Sequence, residues 1–157
     1  MKTAARLFLF FFFFLVTAVA ADAACTMSVT NVAFGPYDVF VSTPVDSDSG
    51  RVYVNCTADV GTATMTIGPS ATSGRFNPRG MKHATGADVL NYNIYTSSAR
   101  AAIWGDGTSG PSVGQVRRPT GRPAPWVASQ IMYGRIPARQ NVSAGPYSDN
   151  ITVTVMP

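Results

Sequence analysis

Apolar and polar residues alternate with a period of two along much of the chain after residue 24, as in β-strands that bury one face. Gly, Pro, Asn and Asp, which favour turns, bound these segments. No stretch shows a convincing period of 3.6 residues, so we predict no helix. The predicted strands are residues 25–30, 51–56, 62–67, 89–95, 127–136 and 147–155. The fifth of them is the least regular and is compatible with a β-bulge.

Several short strands separated by turn signals are typical of an antiparallel all-β sandwich. The last predicted strand ends with Ile151, Val153 and Val155 alternating with two threonines. Because alternate residues of a strand point to opposite faces, the three aliphatic side chains are expected to point inward together.

Two irregular regions, residues 69–86 and 105–125, interrupt the strands. Connections of this length are uncommon in a compact domain and are often functional. The second region carries Arg117, Arg118 and Arg122 among four prolines. We consider these arginines a candidate binding surface for an anionic glycan or lipid, with a solvated loop as the simpler interpretation.

The start of the chain has the pattern of a secretory signal peptide. Lys2 and Arg6 come before or beside an apolar run at residues 7–19, and a small-residue cleavage site follows. This run is shorter than the ~20 apolar residues of a membrane-spanning helix. A retained anchor or a buried helix is the alternative. We predict a signal peptide over residues 1–23, one domain over residues 24–157, and no stable membrane span after cleavage.

Composition excludes two classes of protein. The chain is 46% hydrophobic and 13% charged, with a net charge of +4. Neither a charge-rich disordered tail nor a strongly basic nucleic-acid binder has such a balance. All 8 acidic residues are Asp, and Thr, Ser, Val, Ala and Gly are plentiful, which favours strands over helices.

The two cysteines, Cys25 and Cys56, both lie on the inward faces of predicted strands. An exported chain meets an oxidising compartment, where such a pair usually forms a disulfide. Lipidation of Cys25 is the alternative, but Asp22 stands where a lipobox has an aliphatic residue. We therefore predict a Cys25–Cys56 disulfide that stabilises the domain by roughly 3 to 4 kcal/mol.

We identify no candidate catalytic or metal site. His83 is the only histidine, which leaves no cluster of ligands for zinc. Residues 46–50 are similar to the start of a calcium-binding loop, but the chain has no Glu to complete it, and a polar turn is the simpler interpretation. No nucleophile elbow and no phosphate-binding loop occurs. The sequence therefore predicts a protein that is not an enzyme and uses no metal or cofactor.

Short motifs in a fixed order resemble those of one protein family. They are FGPYD (34–38), VYVNC (52–56), RGM (79–81), LNYNIY (90–95), WGDGTSG (104–110), YGRIPA (133–138) and GPYSD (145–149). Each is weak alone, but their order is specific. Over residues 25–155 the chain resembles the spore coat U, or secreted pilin, domain found in subunits of archaic chaperone-usher pili.

The resemblance implies an immunoglobulin-like sandwich that lacks its final strand, with an acceptor groove along the edge beside Ile151, Val153 and Val155. In similar proteins a periplasmic chaperone fills this groove with one of its own strands. An outer-membrane usher then passes the subunit to a neighbouring pilin subunit, whose N-terminal segment replaces that strand. The implied location is the periplasm in transit and then the cell surface or a fimbrium.

The chain departs from the family in two places. Val39 stands where the family often has Pro, and Met156 and Pro157 stand where an aromatic residue is frequent. The predicted cleavage leaves almost nothing before Cys25, so we expect a subunit that accepts a strand but cannot give one, at a fibre tip or in a coat. The leading hypothesis is a non-enzymatic structural subunit. The alternative is a surface adhesin whose long loops bind a glycan or an abiotic surface, and an exported enzyme comes third.

Overall fold

The computed structural model describes residues 24–57, 60–108 and 110–157, and the predicted signal peptide lies outside the described residues. Within those ranges the chain forms strands and no helix. The strands are β1 Cys25–Thr30, β2 Val45–Cys56, β3 Thr62–Ile67, β4 Arg79–His83, β5 Val89–Tyr95, β6 Gly114–Arg117, β7 Trp126–Ile136, β8 Tyr147–Ser148 and β9 Val153–Met156. The predicted bounds of β1, β3 and β5 are confirmed.

The strands form two antiparallel sheets that curl into a sandwich, which confirms the predicted fold class. One sheet has six strands in the order β1-β2-β7-β5-β4-β8, and the other has three in the order β6-β3-β9. Consecutive strands of the chain often lie in different sheets, so the chain crosses repeatedly from one layer to the other. Both sheets turn apolar side chains toward one shared core.

The two tryptophans lie at the centre of that core. Trp104 is fully buried and Trp126 is 2% exposed. Each indole N–H donates to a backbone carbonyl: Trp104 to Met65 at 2.9 Å and Trp126 to Val60 at 2.7 Å. Their polar atoms are therefore satisfied while the rings contribute large apolar areas to the core.

β2 corrects the predicted turn at residues 46–50. That segment lies inside the strand, where the register with β7 shifts between Ser47 and Gly50 as in a β-bulge. The bulge therefore lies on β2 and not on β7, where the sequence suggested one. The sequence does not show apolar alternation at the start of β2, because its residues there are mostly polar. Asp46, beside the bulge, faces solvent and pairs with Arg135 of β7.

Two short strands lie inside the regions predicted to be irregular. β4 falls within residues 69–86, and β6 falls within residues 105–125. The inward side chains of β4 include the polar residues Arg79 and His83, both buried, so no apolar alternation marks the strand. The remaining described residues of both regions form turns, irregular backbone and one isolated bridge, at Ser112.

Candidate functional site

The two sheets leave an open groove between their outer strands. β1 is an edge of the six-stranded sheet, and β9 is an edge of the three-stranded sheet. The Cα atoms of the two strands come within 8 Å of each other, yet no ladder pairs these strands in the described part of the chain. We call the space between these strands the open groove. β1 and residues 31–37 form one of its walls, and residues 147–155 form the other.

One wall of the open groove presents a regular row of inward side chains. The row crosses from β8 through irregular backbone into β9, so the wall is one extended segment that leaves one sheet and joins the other. Every second residue of this segment is half-buried, and those between are exposed. The members of the row are Tyr147, Asp149, Ile151, Val153 and Val155.

Hydrogen bonding leaves one edge of this wall unpaired. The carbonyls of Asn150 and Thr152 accept hydrogen bonds from the second layer, from the N–H groups of Ala71 at 3.1 Å and Gly68 at 2.8 Å. Since alternate backbone groups of a strand point in opposite directions, the N–H and C=O groups of Ile151, Val153 and Val155 point away from β3 and toward the open groove.

The opposite wall depends on two close approaches to glycine. A Cβ at Gly50 would lie 2.3 Å from Cγ2 of Val32, and a Cβ at Gly134 would lie 2.6 Å from Cε1 of Phe34. A larger residue at either position would push residues 31–37 off the sheet. These glycines therefore fix how deep the groove is.

Two adjoining cavities make up the interior of the open groove. One, of about 310 Å³, is lined by Val29, Ile151 and Val153 among others. The other, of about 620 Å³, is lined among others by Tyr37, Leu90 and Val142. The two cavities are neighbours, because four residues line both of them. The shared residues are Val32, Phe34, Met81 and Tyr147.

A disulfide ties the β1 side of the groove to the rest of the sheet. Cys25 and Cys56 are direct partners in the ladder between β1 and β2, with Cα atoms 4.1 Å apart, and their sulfurs are bonded. Ala24 and Thr57, the next pair, share a backbone hydrogen bond of 2.9 Å. The cysteines are therefore a non-hydrogen-bonded pair, whose side chains approach most closely.

The family model of the spore coat protein U domain matches residues 11–154. The chain belongs to this family. It is 35% identical over 133 residues to Protein U of Myxococcus xanthus, covering 78% of this chain and 69% of that protein.

The fold is also similar to a solved structure, the CsuC–CsuE chaperone-tip adhesion subunit pre-assembly complex from the archaic chaperone-usher Csu pili of Acinetobacter baumannii. The TM-score is 0.59 with 22% identity, and the match covers 85% of this chain. It covers 39% of the matched chain of that complex, so the likeness concerns a part of it and shows the fold alone.

A polar cluster lies at the floor of the groove in this spore coat U domain. Tyr92, which is 4% exposed, donates its hydroxyl to Asp149 Oδ2 at 2.8 Å, and Thr72 N–H donates to Asp149 Oδ1 at 3.1 Å. Burial, and then the neighbouring carboxylate, raise the pKa of the Tyr92 hydroxyl well above its usual value. The phenol is therefore a fixed donor that holds Asp149 in place. Sequence reasoning missed Asp149, although the period of two running from Tyr147 to Val155 includes it.

Behind this cluster, Arg79 is fully buried without a carboxylate bonded to it. One guanidinium nitrogen donates to the carbonyls of Gly68 and Trp104, each at 2.9 Å, and the other terminal nitrogen donates to Phe76. Nε has no partner among the described residues. Burial lowers the pKa of the guanidinium, and electrostatic interactions with Tyr92 and then Asp149 partly offset this effect. Arg79 thereby links β4 to the backbone that follows β3 and to the segment between β5 and β6.

The three arginines predicted to bind a surface ligand are all exposed, but they do not share one loop. Arg117 is a residue of β6 and pairs with Thr62 of β3. Arg118 follows directly, and Arg122 closes a turn by donating its backbone N–H to Pro119 at 3.2 Å. The structure therefore places these charges at the β6 edge of the three-stranded sheet, on the side of β3 opposite the open groove.

The residues similar to a calcium-binding loop are engaged by arginines. Asp46 accepts two hydrogen bonds from Arg135, at 2.7 and 2.8 Å, and Asp48 accepts one from Arg100. In the described ranges no three His, Cys, Asp or Glu side chains lie together as a metal site requires. Over the same ranges no helix is long and apolar enough to cross a membrane.

Proposed function

We propose that this chain is a structural subunit of a secreted surface fibre or coat, and that it assembles by accepting a β-strand from a partner in the open groove. The observation that carries the proposal is the unpaired backbone edge at Ile151, Val153 and Val155, beside a cavity between two sheet edges that both apolar and polar side chains line. The family and the fold support it, because they are those of coat and pilus subunits and not of enzymes.

The geometry explains how a strand would be held. Its backbone would continue the three-stranded sheet beyond β9, and its alternate side chains would enter the cavities lined by Phe34, Met81 and Val142. Backbone hydrogen bonds then supply affinity, and the pockets supply specificity. Filling the groove also removes an exposed strand edge, which otherwise promotes aggregation.

The proposed partners follow from the same feature. A periplasmic chaperone protects the groove in transit, and a neighbouring pilin subunit fills it after an outer-membrane usher brings the two together. The complex that gives the structural likeness contains a chaperone and a tip adhesion subunit. A position at the fibre tip stays a prediction from the sequence, as does a role in adhesion.

The experiment compares the mature chain alone with the chain plus an added strand. Alone, it should aggregate or exchange strands. A peptide of about ten residues with alternating apolar side chains should yield a monomer with a higher thermal midpoint, because about 3.3 Å per residue lets it span the groove.

Two proline variants provide the matched control. Val153→Pro removes an N–H that faces the groove, so it should abolish peptide stabilisation while leaving the ladder to β3 intact. Thr154→Pro, on the paired side, should instead destabilise the chain with or without peptide. A mature chain that is a stable monomer and ignores the peptide contradicts the proposal.

A second candidate function rests on the exposure of Arg117 and Arg122, which form no ion pair with any described residue. Such cations can contact an anionic glycan or an abiotic surface. This adhesin function uses the β6 edge and is compatible with strand acceptance at the other edge of the same sheet.

A further inference from the structure

Asp149 is the one charged member of the inward row along the groove wall. On one side of it the row continues with Ile151, Val153 and Val155, and on the other with Tyr147. The carboxylate therefore lies between less polar side chains of the same row, in the cavity that Phe34 and Met81 also line.

The carboxylate has acceptor capacity left for a ligand. Tyr92 O–H and Thr72 N–H each donate one hydrogen bond to it, whereas a carboxylate has about four acceptor positions. Asp149 is half-buried and lines the groove directly, so solvent in the empty groove can occupy the remaining positions. A strand that fills the groove removes that solvent.

The guanidinium of Arg79 does not substitute for such a ligand. It makes no hydrogen bond to Asp149: its terminal nitrogens donate to the carbonyls of Gly68, Trp104 and Phe76, and its Nε has no partner among the described residues. A purely apolar strand would thus cover a carboxylate and leave part of its hydrogen bonding unmet, which is costly.

We propose that the strand accepted by this groove carries one hydrogen-bond-donating side chain, Lys or Asn, opposite Asp149, with apolar side chains two residues before and two residues after it. This inference rests on the proposed function and specifies the partner's chemistry. Since inward side chains of a strand recur every second residue, the recognised pattern is apolar-x-donor-x-apolar. An acidic residue at the central position is rejected by repulsion between like charges.

The test uses four peptides that differ only at the central inward position, which is Lys, Asn, Leu or Asp. Binding to the wild-type mature chain is measured by calorimetry or fluorescence anisotropy. We expect the Lys and Asn peptides to bind roughly tenfold or more tightly than the Leu peptide, the size of one hydrogen bond to a charged group. The Asp peptide should bind most weakly. Crosslinking from the central position to residues 147–151 checks the register.

Two protein variants separate this effect from a general loss of structure. Asp149→Asn removes the charge, so the preference for Lys over Leu should shrink and the rejection of Asp should disappear, while circular dichroism confirms folding. Asp106→Asn removes an exposed carboxylate held in its own loop by Thr108 and should leave the ranking unchanged.

The outcomes distinguish the two proposals. If none of the four peptides binds, the strand-accepting function itself fails. If they bind but the Leu peptide is equal to or better than Lys and Asn, the groove still accepts a strand and the role of Asp149 in selecting it is wrong. A ranking that persists unchanged in Asp149→Asn overturns that role as well.

Discussion

β1 and β2 are neighbours with the same alternation of side chains, yet they differ sharply in how well those side chains are covered. Val29 lies opposite Val52 and Met27 lies opposite Val54 in one antiparallel ladder. Val52 and Val54 are 0% and 1% exposed, whereas Val29 and Met27 are 40% and 45% exposed. Inward direction alone therefore does not bury a side chain.

The difference comes from what lies beside each strand. β2 is paired on both edges, by β1 and β7, and the second layer covers its inner face. β1 is paired on one edge only, and the space beside it is the open groove. A strand placed in that groove would cover β1 as the rest of the sandwich covers β2. The exposed apolar area of β1 is therefore the area that such a strand would cover.

The largest effect should come from cutting the link between these two strands. Replacing Cys25 and Cys56 together with Ala should lower the free energy of unfolding by roughly 2 to 5 kcal/mol. Because the bond holds the open strand to the closed one, β1 should be released first. Denaturant unfolding gives the energy, and amide hydrogen exchange locates the loss.

The control for this prediction is Ser28→Ala, an exposed change within β1 that should alter stability by less than ~0.5 kcal/mol. An unchanged unfolding free energy in the double cysteine variant, or intact protection of β1, would show that the pairing with β2 alone holds the strand.

The next effect compares truncations within one cross-strand pair. Val54→Ala should cost about 2 kcal/mol because it opens a cavity in a packed core. Met27→Ala should cost less than ~1 kcal/mol in the free chain, because nearly half of that side chain is already in solvent. With a peptide in the groove, the cost at Met27 should rise toward that at Val54.

Thermal unfolding with and without peptide checks this convergence. The comparison between β1 and β2 loses its explanation if Met27→Ala is as costly as Val54→Ala in the free chain. The explanation also fails if adding the peptide leaves the stability cost of Met27→Ala unchanged.

How far the sequence predicts this fold depends on what fills the inward positions. β3 and β5 were predicted to the residue because apolar side chains occupy alternate positions along them. β4 was not, because Arg79 and His83 occupy its inward positions. Their burial depends on distant carbonyls: Arg79 donates to Gly68 and Trp104, and the ring of His83 bonds to Ala144. No local pattern carries such information.

The candidate site divides in the same way. The wall at residues 147–155 can be predicted from the apolar alternation of Ile151, Val153 and Val155, and the resemblance to the family predicts that the strand edge beside them is open. The wall at residues 31–37 cannot be predicted from the sequence, because Val32 and Phe34 belong to no strand ladder. Contacts with Gly50 and Gly134 fix their positions. Those glycines lie 18 and 100 residues away from the side chains that need them.

A smaller effect on stability should come from the ion pair between Asp46 of β2 and Arg135 of β7. The hydrogen bond from Arg135 holds the pKa of Asp46 below its ordinary value. A carboxyl whose pKa is lowered by folding stabilises the fold above its unfolded pKa near 4, and that contribution is lost as the pH falls through the folded pKa. Since the pair is partly exposed, we expect less than ~1 kcal/mol.

Unfolding of Asp46→Asn and the wild type from pH 7 down to pH 2 measures this term. The two curves should differ at pH 7 and converge at low pH. Strand acceptance should be unaffected, because the exposed side chain of Asp46 is not among the residues that line the open groove. A difference that grows as the pH falls contradicts the assignment.

The smallest expected effect on the groove concerns the two edges of the three-stranded sheet. β9 presents a nearly apolar row to the open groove, whereas β6 ends in Arg117 and is followed by Arg118 and Pro119. Charges and proline protect an edge strand from pairing, so only the β9 edge should accept a strand. Replacing Arg117, Arg118 and Arg122 together with Ala should leave peptide affinity in the groove unchanged within about twofold.

The same variant tests whether the β6 edge binds a surface. If the adhesin function holds, attachment to an anionic surface at low salt should weaken and lose most of its salt dependence, because screening acts on the charges that were removed. Attachment that is unchanged at low salt assigns these arginines to edge protection alone. A change of more than tenfold in peptide affinity would instead mean that the two edges of the sheet are coupled through β3. The open groove would then not be the independent site that the contrast between β1 and β2 indicates.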